Sequence, residues 1–364
     1  MYPRQALERL HEYVPGERRA GVLKLSSNEN PLGPSPRAIE QLRSSAAEAH
    51  IYPDGAARQL RERLARQLSV PADQVITGNG SDELMVYAAA AYLNPGDIAV
   101  IARHTFSVYA FATNLFDGRV ITTEMPHGRH DPDAFVATLR AQPRTRLLFV
   151  CNPNNPTGTC LSRGELEHIL DQTPAETLVI LDEAYCEYMD PSDASDGPAL
   201  IRRYPNLLVL RTFSKIYGLA GLRVGYGMAQ REIIRTLNKV KLPFNTSLVA
   251  QAAAAAALDD DGFVRRSLET NLSGRGRLYG ELERRGLTYY RTQANFICIN
   301  VRSDARAFAE QMAANGVTIR PLTSFGLDDC IRVTIGTGQQ IDAFLRALDS
   351  TLASIRRSAD APAD

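Results

Sequence analysis

The chain has 364 residues, of which 44% are hydrophobic and 23% charged, values typical of a globular protein large enough to form two lobes. Its 41 basic and 41 acidic residues give a formal net charge of +0, which argues against nucleic acid or an anionic membrane as a partner. No apolar stretch approaches the roughly 20 residues of a membrane span, and the N-terminus lacks the apolar core of a signal peptide. The 5 cysteines contain no C-x-x-C pair and the 6 histidines are scattered. We therefore expect a cytoplasmic protein with reduced thiols and no metal site.

The elements predicted between residues 49 and 258 alternate between strands and helices, the pattern of a mostly parallel sheet. The predicted strands cover residues 74–77, 98–102, 120–123, 146–150, 177–181 and 207–210. The predicted helices cover residues 56–68, 82–93, 163–172 and 247–258. This region predicts a large α/β domain.

The pattern changes after about residue 259, which predicts a smaller α+β domain over 259–356. Its predicted elements are helices over 264–285, 304–315 and 340–352 and strands over 294–300, 317–320 and 331–335. We expect the proline-containing segment 1–48 to join the small domain. The polar tail 357–364 is expected to be disordered.

Lysine is rare in this arginine-rich chain. The four lysines are Lys24, Lys215, Lys239 and Lys241. Lys215 follows Ser214 directly after the apolar run 207–210, at the end of a predicted buried strand. A lysine can lose its proton and form an imine with an aldehyde, which an arginine cannot do. A lone Ser-Lys pair is more often part of a surface loop, so this interpretation depends on the motifs near it.

Three predicted parallel strands run into polar segments, at residues 152–158, residues 182–185 and Lys215. Ligands of open α/β sheets bind at the carboxyl ends of strands. Taken singly, these segments could be a turn or a helix cap. Taken together, they supply what a pyridine aldehyde phosphate needs: Asp182 for the ring nitrogen, and Asn155 and Tyr185 for the ring oxygen.

The phosphate of such a ligand would bind where the segment 77–83 joins the strand 74–77 to the helix 82–93. Gly80 lets the backbone approach an anion, and a helix N-terminus offers free N–H groups. Ser81 lies at this N-terminus, and Asp82 would contribute through its backbone or act as a cap. A glycine-rich loop is weak evidence alone, because this one is neither a Walker A nor a G-x-G-x-x-G motif. The side chains that complete the predicted shell are Thr212, Ser214 and Arg223.

These motifs resemble those of fold-type I pyridoxal-phosphate-dependent aminotransferases, and among them the histidinol-phosphate aminotransferase group. The resemblance covers nearly the whole chain, from about residue 13 to the last predicted helix. The segments that carry it are Ser26-Ser27-Asn28-Glu29-Asn30-Pro31-Leu32-Gly33-Pro34, Tyr52-Pro53-Asp54, Gly80-Ser81-Asp82-Glu83, residues 152–158, residues 182–185, Ser214-Lys215 and Gly221-Leu222-Arg223. It implies a large domain with a mostly parallel seven-stranded sheet sandwiched by helices, a smaller α+β domain and the cofactor pyridoxal 5'-phosphate.

The resemblance also implies roles for individual residues. The catalytic residues would be Lys215, which bonds to the cofactor and moves a proton, Asp182 and Tyr185. Phe106 occupies the position of the ring-stacking aromatic residue, which is often tyrosine in this family. The implied cofactor shell is Tyr52, Gly80, Ser81, Asp82, Phe106, Asn155, Asp182, Tyr185, Thr212, Ser214, Lys215 and Arg223. Tyr52 would reach the cofactor phosphate of a neighbouring subunit, which implies a homodimer with shared active sites.

Four residues match substrate-binding positions of the family. Arg332 corresponds to the arginine that binds the substrate α-carboxylate, and Arg320 to one that contacts the distal phosphate of histidinol phosphate. Tyr13 would help to enclose that phosphate, and Asn30 would line the substrate entrance. The implied reaction is transamination of histidinol phosphate with 2-oxoglutarate, in histidine biosynthesis.

Three alternatives share this framework: an aromatic amino acid aminotransferase, a pyridoxal-phosphate-dependent decarboxylase of a phosphorylated amino acid, and a regulator built on an inactive aminotransferase domain. Arg320-Pro321 also occurs in relatives that act on aromatic amino acids, so the first alternative stays open. The regulator is disfavoured, because the motifs begin within the first few tens of residues and Lys215 is present.

Overall fold

The structure is a computed structural model that describes residue 2, residues 4–10, residue 12 and residues 20–360. Its strands are β1 (Leu23–Lys24), β2 (Val75–Gly78), β3 (Ile98–Ala102), β4 (Arg119–Thr123), β5 (Thr145–Cys151), β6 (Leu178–Asp182), β7 (Leu207–Thr212), β8 (Gly225–Ala229), β9 (Thr288–Tyr289), β10 (Phe296–Asn300), β11 (Val317–Thr318), β12 (Arg320–Pro321) and β13 (Cys330–Thr334). Its α-helices are α1 (Pro36–Ser45), α2 (Arg58–Leu68), α3 (Ser81–Tyr92), α4 (Val108–Leu115), α5 (Pro132–Ala141), α6 (Arg163–Gln172), α7 (Gly197–Arg203), α8 (Arg231–Val240), α9 (Leu248–Ala257), α10 (Asp261–Arg284), α11 (Ala305–Ala314) and α12 (Gly338–Asp360).

The large sheet has seven strands in the order β2-β8-β7-β6-β5-β3-β4, and β8 is antiparallel to both of its neighbours. The strands β4, β3, β5, β6 and β7 run parallel to one another. The mostly parallel seven-stranded sheet expected from the resemblance is therefore confirmed.

Strand β8 was not predicted, because its sequence Gly225-Tyr-Gly-Met-Ala has too many glycines for a typical strand. Glycine is needed at position 225 because the backbone at the start of α3 packs against it and leaves no room for a side chain. A Cβ at Gly225 would come within 2.7 Å of the carbonyl carbon of Gly80. The strand thus brings residues 223–225 against the N-terminus of α3.

Helices cover both faces of this sheet, because alternate side chains of each central strand point to opposite sides. Leu181 and Val209 face α2, α5, α6, α7 and α9, whereas Ile180 and Leu208 face α3, α4 and α8. All four side chains are buried. Burial of each such side chain stabilises the fold by about 1.5–3 kcal/mol.

The second sheet has four strands in the order β12-β13-β10-β9, and all of its neighbouring strands are antiparallel. Helices α10, α11 and α12 contribute to the core that packs beside it. Near the N-terminus, β1 pairs in parallel with β11, while α1 packs against α9. The limits of 1–48, 49–258 and 259–356 for the segment and the two domains stay predictions.

The C-terminal part corrects two expectations. The strand predicted over 317–320 is two short strands, because β11 pairs with β1 whereas β12 pairs with β13. The disorder expected of the tail 357–364 stays a prediction, but helix α12 does not end at residue 352 and runs to Asp360. The reason is that no glycine or proline interrupts residues 339–360. Residues 361–364 lie outside the described residues.

Candidate active site

A cavity of about 640 Å³ opens at the carboxyl ends of β5, β6 and β7, and its outer wall includes β12 and α11. It forms there because adjacent parallel strands end at one edge of the sheet and their terminal side chains project into the same space. The predicted site residues that line it are Ser81, Asp82, Phe106, Asn155, Asp182, Tyr185, Thr212, Ser214, Lys215, Arg223, Arg320 and Arg332. Their assigned roles remain predictions.

Lys215 follows β7 and projects into this cavity, where its Nζ lies 5.6 Å from the ring centroid of Tyr185. The side chain is half-buried because one side of it faces the cavity. Burial, together with the positive charges of Arg332 and Arg223, lowers the pKa of Lys215 from its ordinary value to about 8, whereas Asp82 and Glu29 act to raise it. An amine with this pKa is partly neutral near physiological pH and can act as a nucleophile or a base.

Asp182 is the last residue of β6, and its carboxylate is buried at the base of the cavity. Its Oδ2 accepts a hydrogen bond of 2.6 Å from the hydroxyl of Tyr109, and its Oδ1 accepts one of 3.1 Å from the backbone N–H of Ala184. The pKa of Asp182 is raised to about 6, because the effect of burial outweighs these two hydrogen bonds, which act to lower it. A cation or a protonated ring nitrogen at this carboxylate would favour its charged form.

Asn155 and Tyr185 each use an oxygen as acceptor within the protein, which leaves a donor for the cavity. The Oδ1 of Asn155 accepts from Nη1 of Arg332, so its amide nitrogen remains as the donor. The hydroxyl oxygen of Tyr185 accepts a 3.0 Å hydrogen bond from Nδ2 of Asn28, which leaves the O–H to donate. Two N–H or O–H donors on one wall suit a negatively charged oxygen.

Arg332 and Arg320 lie directly opposite each other on β13 and β12. The guanidinium of Arg332 is buried, donates a 3.1 Å hydrogen bond to the carbonyl of Ser26 and lies 5.3 Å from the ring centroid of Phe296. Arg320 makes no ion pair within the part of the chain that the structure describes. Like charges at directly opposed positions are unfavourable, so a shared anion would stabilise this pair.

Helix α3 begins at Ser81, and its N-cap is Gly80, which has no side chain to cap the free backbone N–H groups. Arg223 lies beside this N-terminus, with Nη1 3.2 Å from Oγ of Ser214 and Nη2 3.3 Å from Oδ2 of Asp82. The hydroxyl of Thr212 accepts a 3.1 Å hydrogen bond from the backbone N–H of Ser214. Together the helix terminus, the hydroxyl groups and the guanidinium fit a phosphate group.

Two of the described residues that were predicted for the site lie elsewhere. Asn30 does not belong to the cavity wall, because its amide is buried and bonds to the Ile216 carbonyl, to Ser267 Oγ and to its own loop at Leu32. Its expected role at the substrate entrance stays a prediction. Tyr52 is 79% exposed and stacks on Phe244 with ring centroids 4.8 Å apart, away from the cavity of its own chain. Tyr13 lies outside the described residues.

Sequence reasoning missed several residues of the site. Asn28, which the sequence predicts only as part of a motif, donates a hydrogen bond to Tyr185. Its backbone has a φ of 56°, which asparagine adopts more readily than most residues, so the residue type is the signal that could have identified it. Tyr109 holds Asp182 and had no signal in the local sequence. The outer wall adds the Lys24–Glu29 ion pair, at 2.7 Å. It also includes Arg306 and Glu310 of α11.

Comparison with known proteins identifies the family. The profile of the family "Aminotransferase class I and II" matches residues 20–348. The chain belongs to this family. It is 47% identical over 360 residues to a histidinol-phosphate aminotransferase of Moorella thermoacetica, and the match covers 96% of this chain and 93% of that protein. It is 42% identical over 358 residues to histidinol-phosphate aminotransferase 2 of Pseudomonas aeruginosa, with 95% and 96% covered.

Solved structures agree with the family. The histidinol-phosphate aminotransferase of Sinorhizobium meliloti, determined in complex with pyridoxal-5'-phosphate, superposes with a TM-score of 0.90 at 26% identity, over 97% of this chain and 98% of that one. An aspartate aminotransferase variant of Thermus thermophilus has the same fold, with a TM-score of 0.84 at 22% identity over 96% and 99% of the two chains. The fold-type I architecture is therefore confirmed.

The described part of the chain lacks two kinds of feature. No helix among residues 20–360 is long and apolar enough to cross a membrane. No group of three or more histidine, cysteine, aspartate or glutamate side chains within the described part of the chain is placed to hold a metal ion.

Proposed function

We propose that this aminotransferase uses pyridoxal 5'-phosphate to transfer the amino group of histidinol phosphate to 2-oxoglutarate, a step of histidine biosynthesis. The observation that carries the proposal is the opposed pair Arg320 and Arg332 in the same cavity as Lys215 and Asp182. Full-length similarity to proteins named histidinol-phosphate aminotransferase supports the choice of substrate.

The cofactor supplies an aldehyde that bonds to amines and a ring that accepts electrons. In the proposed reaction Lys215 would accept the proton that leaves the substrate α-carbon and would return it later in the reaction. Asp182 keeps the ring nitrogen protonated, and Asn155 and Tyr185 donate hydrogen bonds to the ring oxygen. Phe106 covers one face of the ring.

The phosphate of the cofactor would bind at the start of α3. The backbone around Gly80, Ser81 and Asp82 offers N–H groups, and the hydroxyls of Ser81, Thr212 and Ser214 add further donors. Arg223 supplies the positive charge for the phosphate. The 3.3 Å contact between Arg223 and Asp82 keeps the guanidinium beside the helix terminus.

Two arginines would let one site accept two differently shaped anionic substrates. Arg332 binds the carboxylate next to the reacting carbon of glutamate or 2-oxoglutarate. Histidinol phosphate lacks that carboxylate, so in its half of the reaction Arg320 binds the distal phosphate, with Tyr13 closing over it.

We further propose a homodimer in which Tyr52 reaches the cofactor phosphate of the partner subunit. An exposed apolar patch at the same place supports an interface: Ile51, Tyr52, Leu242 and Phe244 are 52%, 79%, 62% and 47% exposed. A cytoplasmic location is consistent with five cysteines that form no disulfide.

A panel of amino donors tests the function. Protein loaded with pyridoxal phosphate is mixed with histidinol phosphate, phenylalanine or phosphothreonine, and conversion of the cofactor to its amine form is followed by absorbance. Histidinol phosphate should convert the cofactor fastest, and adding 2-oxoglutarate should then yield glutamate. A preference for phenylalanine would instead assign an aromatic aminotransferase, and release of CO₂ without cofactor conversion a decarboxylase. No conversion with any donor would indicate a regulator.

A further inference from the structure

Tyr109 is a fully buried tyrosine that takes no part in the roles assigned above. It lies in the first turn of α4, and its ring stacks on Phe149 of β5 with centroids 4.8 Å apart at an angle of 15°. The ring of Phe106 meets it edge-on at 5.7 Å. Because two aromatic neighbours hold this ring, the position of its hydroxyl is fixed.

That hydroxyl donates its 2.6 Å hydrogen bond to Oδ2 of Asp182. Burial and the negative charge of Asp182 raise the pKa of Tyr109 well above its ordinary value, so the phenol stays protonated and remains a donor. The Ala184 N–H holds the other carboxylate oxygen at 3.1 Å. A carboxylate has about four acceptor sites on its two oxygens, so two fixed donors set its plane and leave one site on each oxygen.

A phenylalanine at this position would fill the same space and keep both ring contacts. Only the hydroxyl distinguishes tyrosine from phenylalanine, and the hydroxyl reaches the carboxylate that lines the base of the cavity. The contact therefore acts on the orientation and charge of Asp182 and not on packing. A hydrogen bond to the charged form of an acid favours that form.

We propose that Tyr109 is a positioning residue for the reaction suggested above: its hydroxyl fixes the orientation of Asp182 and keeps that carboxylate charged toward the cofactor ring nitrogen. The inference rests on the proposed use of pyridoxal phosphate, but it does not depend on which amino donor reacts. The same ring supports Phe106, so one side chain of α4 contacts two of the residues proposed to hold the ring of the cofactor, Asp182 and Phe106.

Asp182 is surrounded by ionisable groups from five segments of the chain. Tyr109 approaches from α4, Cys151 from the end of β5, Asp82 from α3, Tyr185 from the segment after β6 and Lys215 from the segment after β7. Asp82 raises the pKa of Asp182 by repulsion and Lys215 lowers it by attraction, and both charges stay in place when the hydroxyl of Tyr109 is removed. A difference between wild type and Tyr109→Phe therefore isolates the hydroxyl.

The first experiment measures binding of pyridoxal phosphate to cofactor-free protein by absorbance titration. The proteins are wild type, Tyr109→Phe, Asp182→Ala, the double variant and Tyr204→Phe. The last is a matched control, because the buried Tyr204 also donates a 2.7 Å hydrogen bond from its hydroxyl to a carboxylate, that of Asp171, far from the cavity. Tyr109→Phe should weaken binding roughly tenfold to a hundredfold, as expected for loss of a hydrogen bond to a charged group.

The double variant decides whether this loss acts through the carboxylate. In the Asp182→Ala background the change Tyr109→Phe should weaken binding less than about twofold, because the group it positions is gone. Tyr204→Phe should bind like wild type. An equal loss in both backgrounds would show a structural role for Tyr109 and overturn the inference.

The second experiment needs no cofactor. Asp182 has a folded-state pKa of about 6, above its ordinary value, so the folded protein binds the extra proton and stability falls as pH rises toward 6. Removing the Tyr109 hydroxyl should raise this pKa, so in Tyr109→Phe the fall in unfolding free energy should extend above pH 6. Tyr204→Phe should leave the pH range of this fall in unfolding free energy unchanged. If Tyr109→Phe does not fold, 3-fluorotyrosine introduced at position 109, a stronger donor, should move the fall to lower pH.

The two proposals can fail separately. If wild type transaminates and Tyr109→Phe changes neither binding nor the pH profile, this inference is wrong and the proposed function stands. If wild type binds no pyridoxal phosphate, the proposed function fails, and the pH profile of the cofactor-free protein still decides whether Tyr109 controls Asp182.

Discussion

Replacing Gly80 with alanine should lower the stability of the protein and weaken its binding of pyridoxal phosphate. Gly80 has φ 81° and ψ 167°, a region that essentially only glycine adopts. A Cβ at this position would overlap Nη2 of Arg223 and lie 3.2 Å from its Cζ. The substitution therefore strains the backbone and also displaces the guanidinium from the N-terminus of α3.

The two effects differ in size and in what they change. The backbone strain should lower the free energy of unfolding by about 1–3 kcal/mol. Displacing Arg223 removes a charge-assisted contact to the phosphate, worth about 1.5–3 kcal/mol, or roughly a tenfold to 150-fold rise in the dissociation constant of pyridoxal phosphate. Gly316→Ala is the matched control, because Gly316 has φ 87° and a Cβ there would meet open space. It should cost about 1–2 kcal/mol of stability and leave cofactor binding unchanged.

Urea unfolding of the cofactor-free variants gives the loss of stability, and titration with pyridoxal phosphate gives the dissociation constants. The reasoning is wrong if Gly80→Ala binds the cofactor as tightly as wild type. It is also wrong if Gly316→Ala weakens binding to the same degree, since strain alone would then explain the loss.

Lys215→Ala should abolish the visible absorbance of the bound cofactor and stop turnover while far-UV circular dichroism stays unchanged; normal activity would refute the lysine assignment. Arg320→Ala should raise the KM for histidinol phosphate roughly tenfold or more and change that for glutamate little, because only the phosphate loses a charged partner; equal losses in steady-state assays would show that Arg320 serves both substrates or is structural. In the cofactor-free protein the pKa of Lys215 is about 8 when folded and 10.5 ordinarily, so the unfolded chain binds more protons in that interval and stability should rise with pH across it. Lys215→Met should remove this rise in a pH series of urea unfolding curves, and a rise that persists in the variant would contradict the depressed pKa.

The elements that sequence predicted best are those with strong local signals. Helix α6 (Arg163–Gln172) has the predicted bounds because Ser162 and Glu165 form a capping box at its start. Strand β3 (Ile98–Ala102) also has the predicted bounds, as an uninterrupted apolar run buried on both faces. Strand β8 was missed because its glycines weaken the local strand signal. Gly225 is required by the close approach of the backbone at the start of α3, which is a tertiary contact.

The residues of the site also fall into those that the sequence could predict and those that it could not. Residues at strand ends could be predicted to share a cavity, because parallel strands bring their carboxyl ends together whatever the detailed packing. Asn28 and Tyr109 could not, because their partners Tyr185 and Asp182 lie 157 and 73 positions away along the chain. Asn30 shares a motif with Asn28, but its amide bonds to Ile216 and Ser267, so membership of one motif does not fix where each side chain lies.

One hydrogen bond links the proposed substrate site to the proposed cofactor site. Nη1 of Arg332, which would face the substrate carboxylate, donates to Asn155, which would face the ring oxygen. Among the charged groups, Arg332 lowers the pKa of Lys215 the most, and only burial has a larger effect. A substrate carboxylate that pairs with Arg332 would offset this repulsion and raise the pKa of Lys215. Binding of the anion would then make the released lysine a stronger base at the moment when a proton must leave the substrate, so the same arginine would serve both recognition and proton transfer.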